Sequence, residues 1–324
     1  MRYSPSRTWR RGSRRTGSGS PTSPGGRRGT ADLTGAEGAG RSGPRGGHRV
    51  RRTRSDRAEP VVHLALVGLP RAVASPLTTG NSHVDWHARY RGGWQVLCPN
   101  AGDERQAYGT VWGFHGEAAL VAWRVLAASP SAIILETELT TAPLRLQREI
   151  TVSGQTLRVA ERLTNLAPVP LQVHWVHHPA FGHPLIDRGT RLATGATRLL
   201  ADQTIPGSML DAGAAYDWPV EPVATLPGCE EPRSAFACLT GFTDRAWYTI
   251  TNPRLDLSVR VTWPARTWPH AWLWQQLHGS TAYPWFGRGH ACAIEPASTP
   301  RHRDDRQARP GPRHRHRTVR DARG

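Results

Sequence analysis

The sequence predicts an all-β domain, an antiparallel sandwich or barrel, held between two structureless basic ends. Three observations carry this reading. The middle of the chain is a series of short apolar runs punctuated by Gly, Pro, Asn and Asp. Several runs alternate with a period of two and none keeps a helical period. Charge is segregated as well. Residues 1–58 hold 15 Arg and 3 acidic residues, residues 300–324 hold 9 Arg and 3 Asp, and residues 59–299 hold 18 Arg against 19 acidic residues.

The strand expectations follow in chain order. Residues 132–139 read Ala-Ile-Ile-Leu-Glu-Thr-Glu-Leu. Residues 144–152 place Leu144, Leu146, Arg148, Ile150 and Val152 on one face, and residues 156–163 do the same for Leu157, Val159, Glu161 and Leu163. Ser153-Gly154 between these two runs signals a hairpin. Residues 171–176, 247–250 and 255–261 continue the style, and Asn165 to Pro168 forms a turn. The predicted organisation is a disordered tail at 1–58, one β domain at 59–299, and a second disordered tail at 300–324. The tails are Arg, Gly, Ser, Thr, Pro and His with too few apolar residues to build a core. Their texture is foreign to the domain between them, and a misassigned start or a shifted reading frame in a GC-rich gene is one account of it.

The net charge of +17 and pI near 11.3 invite a nucleic-acid reading. A nucleic-acid-binding domain carries its cations on a structured face, whereas here the domain is nearly neutral and the excess sits in the tails. Every basic residue among the 42 is Arg. Cys98, Cys229, Cys238 and Cys292 form no CxxC pair and fit neither a zinc site nor a disulfide scaffold, so reduced, inert thiols are expected. No apolar run is long enough to span a bilayer. Arg14-Arg15 and Arg51-Arg52 precede an apolar stretch at 61–69, but that stretch is short, contains His63 and lies far from the first Met, which argues against an export signal.

Three patches carry chemistry. The first runs from Gly92-Gly93-Trp94-Gln95 through Pro99-Asn100 to Gly113-Phe114-His115-Gly116 and Trp123. The second is His174-Trp175-Val176-His177-His178-Pro179-Ala180-Phe181-Gly182. The third joins Trp272-Leu273-Trp274-Gln275, Tyr283-Pro284-Trp285-Phe286-Gly287-Arg288 and Ala293-Ile294-Glu295-Pro296. Trp and His with few charges suit a sugar, whose C–H faces stack on rings and whose hydroxyls meet planar polar groups. A Glu and a His serve as general base and acid near neutral pH. Trp94, Gln95, Asn100, Gln275, Trp285 and Arg288 are the candidate sugar-contacting residues from these patches. Of Trp94, Trp123, Trp175, Trp274 and Trp285, one or two are expected at a ligand and the rest in the core. A metal site among the histidines is disfavoured, because His174 and His178 lie about 13 Å apart along an extended strand while His177 points the other way. Glu295 follows a buried-strand sequence, where a carboxylate is costly without a partner or a task. Arg288 fits either a partnership with Glu295 or an anionic substrate.

Taken in order, the early His-Gly with a nearby Trp, the mid-chain strand ending in His and the late Glu-Pro resemble aldose 1-epimerases. The Gly-Gly-Trp-Gln and Pro-Asn segments are most similar to an uncharacterised bacterial branch of that superfamily. The resemblance spans about residues 85–299 and implies the galactose mutarotase-like β-sandwich. It also implies interconversion of α and β anomers by ring opening, with Glu295 as base, His178 as acid and His115 holding the substrate. Ala180-Phe181-Gly182 stands where the family has Tyr-Phe-Asn. Asp211 and Asp217 lie in the stretch that supplies the family's hydroxyl-gripping Asp. A small sugar or sugar derivative is the implied partner, with no cofactor, metal, specific nucleic acid or membrane, in the cytoplasm. Two other readings remain: a non-catalytic carbohydrate-binding protein on the same fold, and a nucleic-acid binder acting through the basic tails.

Overall fold

The computed structural model describes residues 27–35, 78–90, 92–202, 205, 207–228 and 230–300. In chain order the elements begin with β1 (Arg27–Gly35), α1 (Ser82–Arg89), β2 (Trp94–Leu97), β3 (Arg105–Ala107), β4 (Thr110–Trp112) and β5 (Arg124–Ser129). Next come β6 (Ala132–Glu138), β7 (Leu144–Ser153), β8 (Thr156–Asn165), β9 (Val176–Gly182), β10 (Arg191–Thr194), β11 (Arg198–Ala201) and β12 (Ala215–Asp217). The one-turn α2 (Glu221–Ala224) precedes β13 (Arg233–Thr240), β14 (Arg245–Asn252), β15 (Leu257–Pro264), β16 (His270–Leu277) and β17 (His290–Ala297).

The strands pair antiparallel in two large sheets. One has eight strands in the order β10-β14-β15-β1-β8-β7-β6-β5, the other seven in the order β12-β11-β13-β16-β17-β9-β2, and β3 and β4 form a small ribbon. The predicted hairpin is present: Ser153 pairs with Thr156 and Gly154 takes φ 57° in the turn, where a glycine carries no steric penalty.

The structure corrects three expectations. The run at 171–176 is not a strand; pairing begins only at Val176. Pro168 and Pro170 lead into that run and withhold two backbone donors, and the N–H of His174 is given instead to the carbonyl of Pro99 (2.8 Å). Helices are present where none was expected. Asn81 caps α1, its side chain accepting from the N–H groups of His83 and Val84 (3.1 and 3.2 Å). Only Trp86 of α1 is fully buried, so two turns give no apolar stripe for a periodicity argument to find. Within the segment 1–58, residues Arg27–Gly35 form a strand seated between β8 and β15. The slot between those strands presents unpaired backbone groups on both sides, and a ladder is made by backbone, so side-chain composition does not veto it. The rest of 1–58 and the tail at 301–324 lie outside the described residues.

The two sheets pack face to face over one core. Leu144, Leu146, Tyr248, Ile250, Val261 and Trp263 of the eight-stranded sheet meet Val96, Phe181, Leu239, Leu273, Cys292 and Ile294 of the seven-stranded one. A second, separate cluster covers the other face of the seven-stranded sheet, where Trp86 and Tyr90 lie against Leu97, Val176, Ala180, Trp272 and Trp274. Strands β9 and β17 are therefore covered on both faces, and every residue of β9 is buried. Cys98, Cys238 and Cys292 are buried and in no disulfide among the described residues, and burial pushes the Cys292 thiol up to about 12. Among the described residues no helix is long and apolar enough to cross a membrane.

Candidate functional site

On the outer face of the seven-stranded sheet, α1 and the loops before β3 and after β16 surround a cavity of about 900 Å³. Period-two alternation decides what it contains. His178 on β9, Trp272 and Trp274 on β16 and Glu295 on β17 share that face, while His177, Leu273, Gln275 and Ile294 turn inward. Register brings the pieces together: Trp272 sits opposite Glu295, and Gln95 opposite His178. Nε2 of His178 stands 3.5 Å from Oε1 of Glu295, the two residues being 6% and 2% exposed. A carboxylate this deep is tolerated because an imidazole faces it.

His115 reaches the same place from a loop held at close quarters. Its φ is 58°, and the next residue, Gly116 (φ 67°), lies so near β2 that a Cβ there would stand 2.5 Å from the Cys98 carbonyl oxygen. Only glycine permits that approach. The N–H of Gly102 donates to Nδ1 of His115 (3.0 Å), which leaves the ring proton on Nε2. The His115 and His178 ring centres are 6.1 Å apart.

Helix α1 forms the opposite wall. Tyr90 stacks on Trp86 (4.7 Å, 21°) and meets the His178 ring edge-on at 6.0 Å. Burial, reinforced by Glu295, raises the Tyr90 phenol far above its ordinary range, so it remains a neutral O–H donor. Burial also lowers the His87 imidazole to about 4. Its Nδ1 lies 2.8 Å from the His83 carbonyl oxygen and donates to it, leaving Nε2 as an acceptor. The indole N–H of Trp86 and the Tyr90 hydroxyl, both on residues at most 5% exposed, meet no hydrogen-bond partner among the described residues.

Of the sequence-predicted residues, Glu295, His178, His115, Asn100 and Trp285 line the cavity. Asn100 does so with its amide N–H groups given to the carbonyls of Asp103 (2.8 Å) and Gly113 (2.9 Å), which shapes the loop. Trp94, Gln95, Gln275 and Arg288 are not in the lining. Trp94 faces the inter-sheet core and donates to Nδ1 of His177 (3.0 Å); Gln95 donates to the carbonyl of Gly92 (3.3 Å). Gln275 is turned inward and bonds the Val223 carbonyl (2.9 Å), and Arg288 is exposed on a turn. Among the five tryptophans weighed, Trp274 and Trp285 line the cavity while Trp94, Trp123 and Trp175 do not. Sequence reasoning missed Trp86, His87 and Tyr90, for which Asn81 with Asp85 in the first turn was the available helix-start signal. It also missed Trp272, legible as the residue two before Trp274 on one strand, and Asp202, which lines the cavity where Asp211 and Asp217 do not.

A family model described as "Domain of unknown function (DUF4432)" matches residues 62–315. The chain belongs to the DUF4432 family. A search of the curated proteins matched nothing. Among solved structures, the Slr1438 protein from Synechocystis sp. PCC 6803 is similar with a TM-score of 0.50 and 20% identity, covering 65% of this chain and 69% of that one. The galactose mutarotase related enzyme from Lactobacillus acidophilus aligns with a TM-score of 0.49 and 17% identity, over 67% of this chain and 74% of that one. At such identity the likeness to the Synechocystis protein is one of fold, and the DUF4432 chain shares its β-sandwich architecture. The functional content of this DUF4432 member rests on its own cavity.

Proposed function

We propose that this protein binds a sugar in the cavity and interconverts its anomers. The observation that carries the reading is the meeting of His178 and Glu295 at 3.5 Å, nearly buried, at the floor of a cavity walled by tryptophans. Anomer exchange acts on two oxygens attached to one carbon, and an acid and a base must reach both at once. In the forward step the Glu295 carboxylate takes the proton of the anomeric hydroxyl. The freed electron pair forms the C1 carbonyl, the bond from C1 to the ring oxygen breaks, and the ring oxygen takes a proton from Nε2 of His178. Rotation about C1–C2 presents the other carbonyl face, and the same transfers in reverse close the ring. Both proton carriers return to their starting states, so no co-reactant is consumed.

The surroundings support this role. Nε2–H of His115 supplies a donor beside His178, and Nε2 of His87 an acceptor across the cavity. Trp86 and Tyr90 bring buried donors that a bound hydroxyl would satisfy, and such donors are costly to leave unmet. Trp272, Trp274 and Trp285 offer ring faces for C–H surfaces.

The test is the rate of mutarotation of a small sugar panel, followed by polarimetry or NMR, with the full chain and its Glu295→Gln variant. Acceleration should fall about 10²–10⁴-fold in the variant while sugar affinity is kept. Sugars that bind without acceleration by the unaltered protein would replace the catalytic reading with a carbohydrate-binding one.

A further inference from the structure

The cavity is larger than one sugar ring requires. At about 900 Å³ it sits near the top of the range of roughly 300–1,000 Å³ that encloses a drug-sized ligand, and a single hexose is much smaller than that. Its inner end holds His178, Glu295 and His115. Its outer end is lined by Asn81, His83, Asp103 and Gln106, planar polar side chains of the kind that meet hydroxyls.

The turn between β16 and β17 completes that outer end. Pro284 and Trp285 line the cavity, and the residues that flank them, Tyr283 and Phe286, stand outward at 43% and 62% exposure. The turn is knit by its own backbone: the N–H groups of Trp285 and Phe286 both reach the Ala282 carbonyl (3.0 and 2.9 Å), and that of Gly287 reaches Ser280 (2.8 Å). Phe286 is held at φ 49°, a left-handed conformation that a bulky side chain rarely adopts. Strain and exposure thus fall on one aromatic residue, when a glycine or polar residue would relieve both. Tyr283 lies 6.1 Å from Phe286 and 5.8 Å from the His83 ring, and its hydroxyl reaches the Val84 carbonyl of α1 (3.4 Å). Tyr283 therefore stands beside His83 of the polar rim and Phe286 beside Tyr283, both just outside the cavity lining.

We infer that the cavity mouth is a second sugar-ring subsite, in which Tyr283 and Phe286 stack on the ring next to the reducing end. This rests on the reading of the inner cavity given above and names its substrate class: a disaccharide or longer chain with a free reducing end, whose terminal ring sits against His178 and Glu295.

The test compares calorimetric affinities of the full chain for glucose and galactose with those for cellobiose, maltose and lactose, in the unaltered protein and in Phe286→Ala. At least one disaccharide should bind about tenfold more tightly than its own reducing-end monosaccharide, the scale of one good stacking contact. In Phe286→Ala that ratio should approach one with monosaccharide affinity unchanged. A ratio near one in the unaltered protein, or a ratio that survives the substitution, overturns the subsite while monosaccharide binding and turnover leave the inner-cavity reading standing. Loss of all sugar binding and all acceleration overturns both. A dimer that Phe286→Ala dissociates would assign the exposed rings to a second copy of the chain and overturn the subsite.

Discussion

His177 and His178 are neighbours on β9, yet they face opposite sides of the seven-stranded sheet and live in different chemistry. His178 looks into the cavity, against Glu295 and among tryptophan rings. His177 looks into the sandwich, where Nδ1 accepts from Trp94 (3.0 Å) and Nε2 lies 3.3 Å from Oε2 of Glu161 without hydrogen-bond alignment. Glu161 in turn pairs with Arg148 and accepts from the indole of Trp175 (2.9 Å). Arg148 donates to the Trp94 carbonyl (3.2 Å), so the cluster ties β7 and β8 of one sheet to β2 and the start of β9 in the other. Burial is the largest single influence and would raise the Glu161 carboxyl, but the Arg148 guanidinium, His177 and the Trp175 indole N–H together offset this and hold it low. For His177 burial outweighs the carboxylate and lowers the imidazole to about 4, so it stays neutral. The comparison teaches that a buried histidine with a carboxylate nearby is not by itself a catalytic pair. What distinguishes His178 is that its pair borders open space.

The largest effect should come from breaking the core-facing cluster. Glu161→Ala leaves the Arg148 guanidinium buried without its counter-charge and should cost about 3–5 kcal/mol in urea unfolding. A loss below about 1 kcal/mol would show that the cluster does not hold β9 in place.

A second effect, spread over a pH range, is expected from the buried histidines. Free His177 in the unfolded chain takes up its proton near 6.5, whereas in the fold it does so only near 4. Protons therefore favour the unfolded chain between those values, and this contribution to stability, full above 6.5, is lost as pH falls towards 4. His87 acts in the same direction from the cavity side. Below that window Glu161, held under its ordinary 4.5, adds its own loss. Urea midpoints measured from pH 8 to pH 4 should fall across this range, and less steeply in His87→Gln. A flat profile would contradict neutral burial of both rings.

The smallest effect belongs to neither face. Arg288→Ala, exposed and outside the cavity, should change stability by less than about 0.5 kcal/mol and leave sugar affinity unaltered. A clear loss of affinity would extend the site to the turn's outer edge.

Much of this arrangement was legible in the residues. The paired runs around Ser153-Gly154 became β7 and β8 because alternation and a turn residue together fix a hairpin. His115, His178 and Glu295, singled out from three separate motifs, line one cavity. The misses have physical causes as well. Trp86, His87 and Tyr90 escaped because an eight-residue helix offers too little period to read. Trp94 and Gln275 were assigned to ligand contact because nothing local says which face of a strand is turned to solvent.

That last point marks the division between chain and fold. Period two determined by itself that His178 and Ala180 share one face of β9 and His177 and Phe181 the other, since successive side chains on any strand point apart. Which face borders the cavity was decided only by the tertiary structure. Strands β9 and β17 are covered on both sides, by the second sheet on one and by α1 with its loops on the other, so neither face carries the polar signature that would mark an outside.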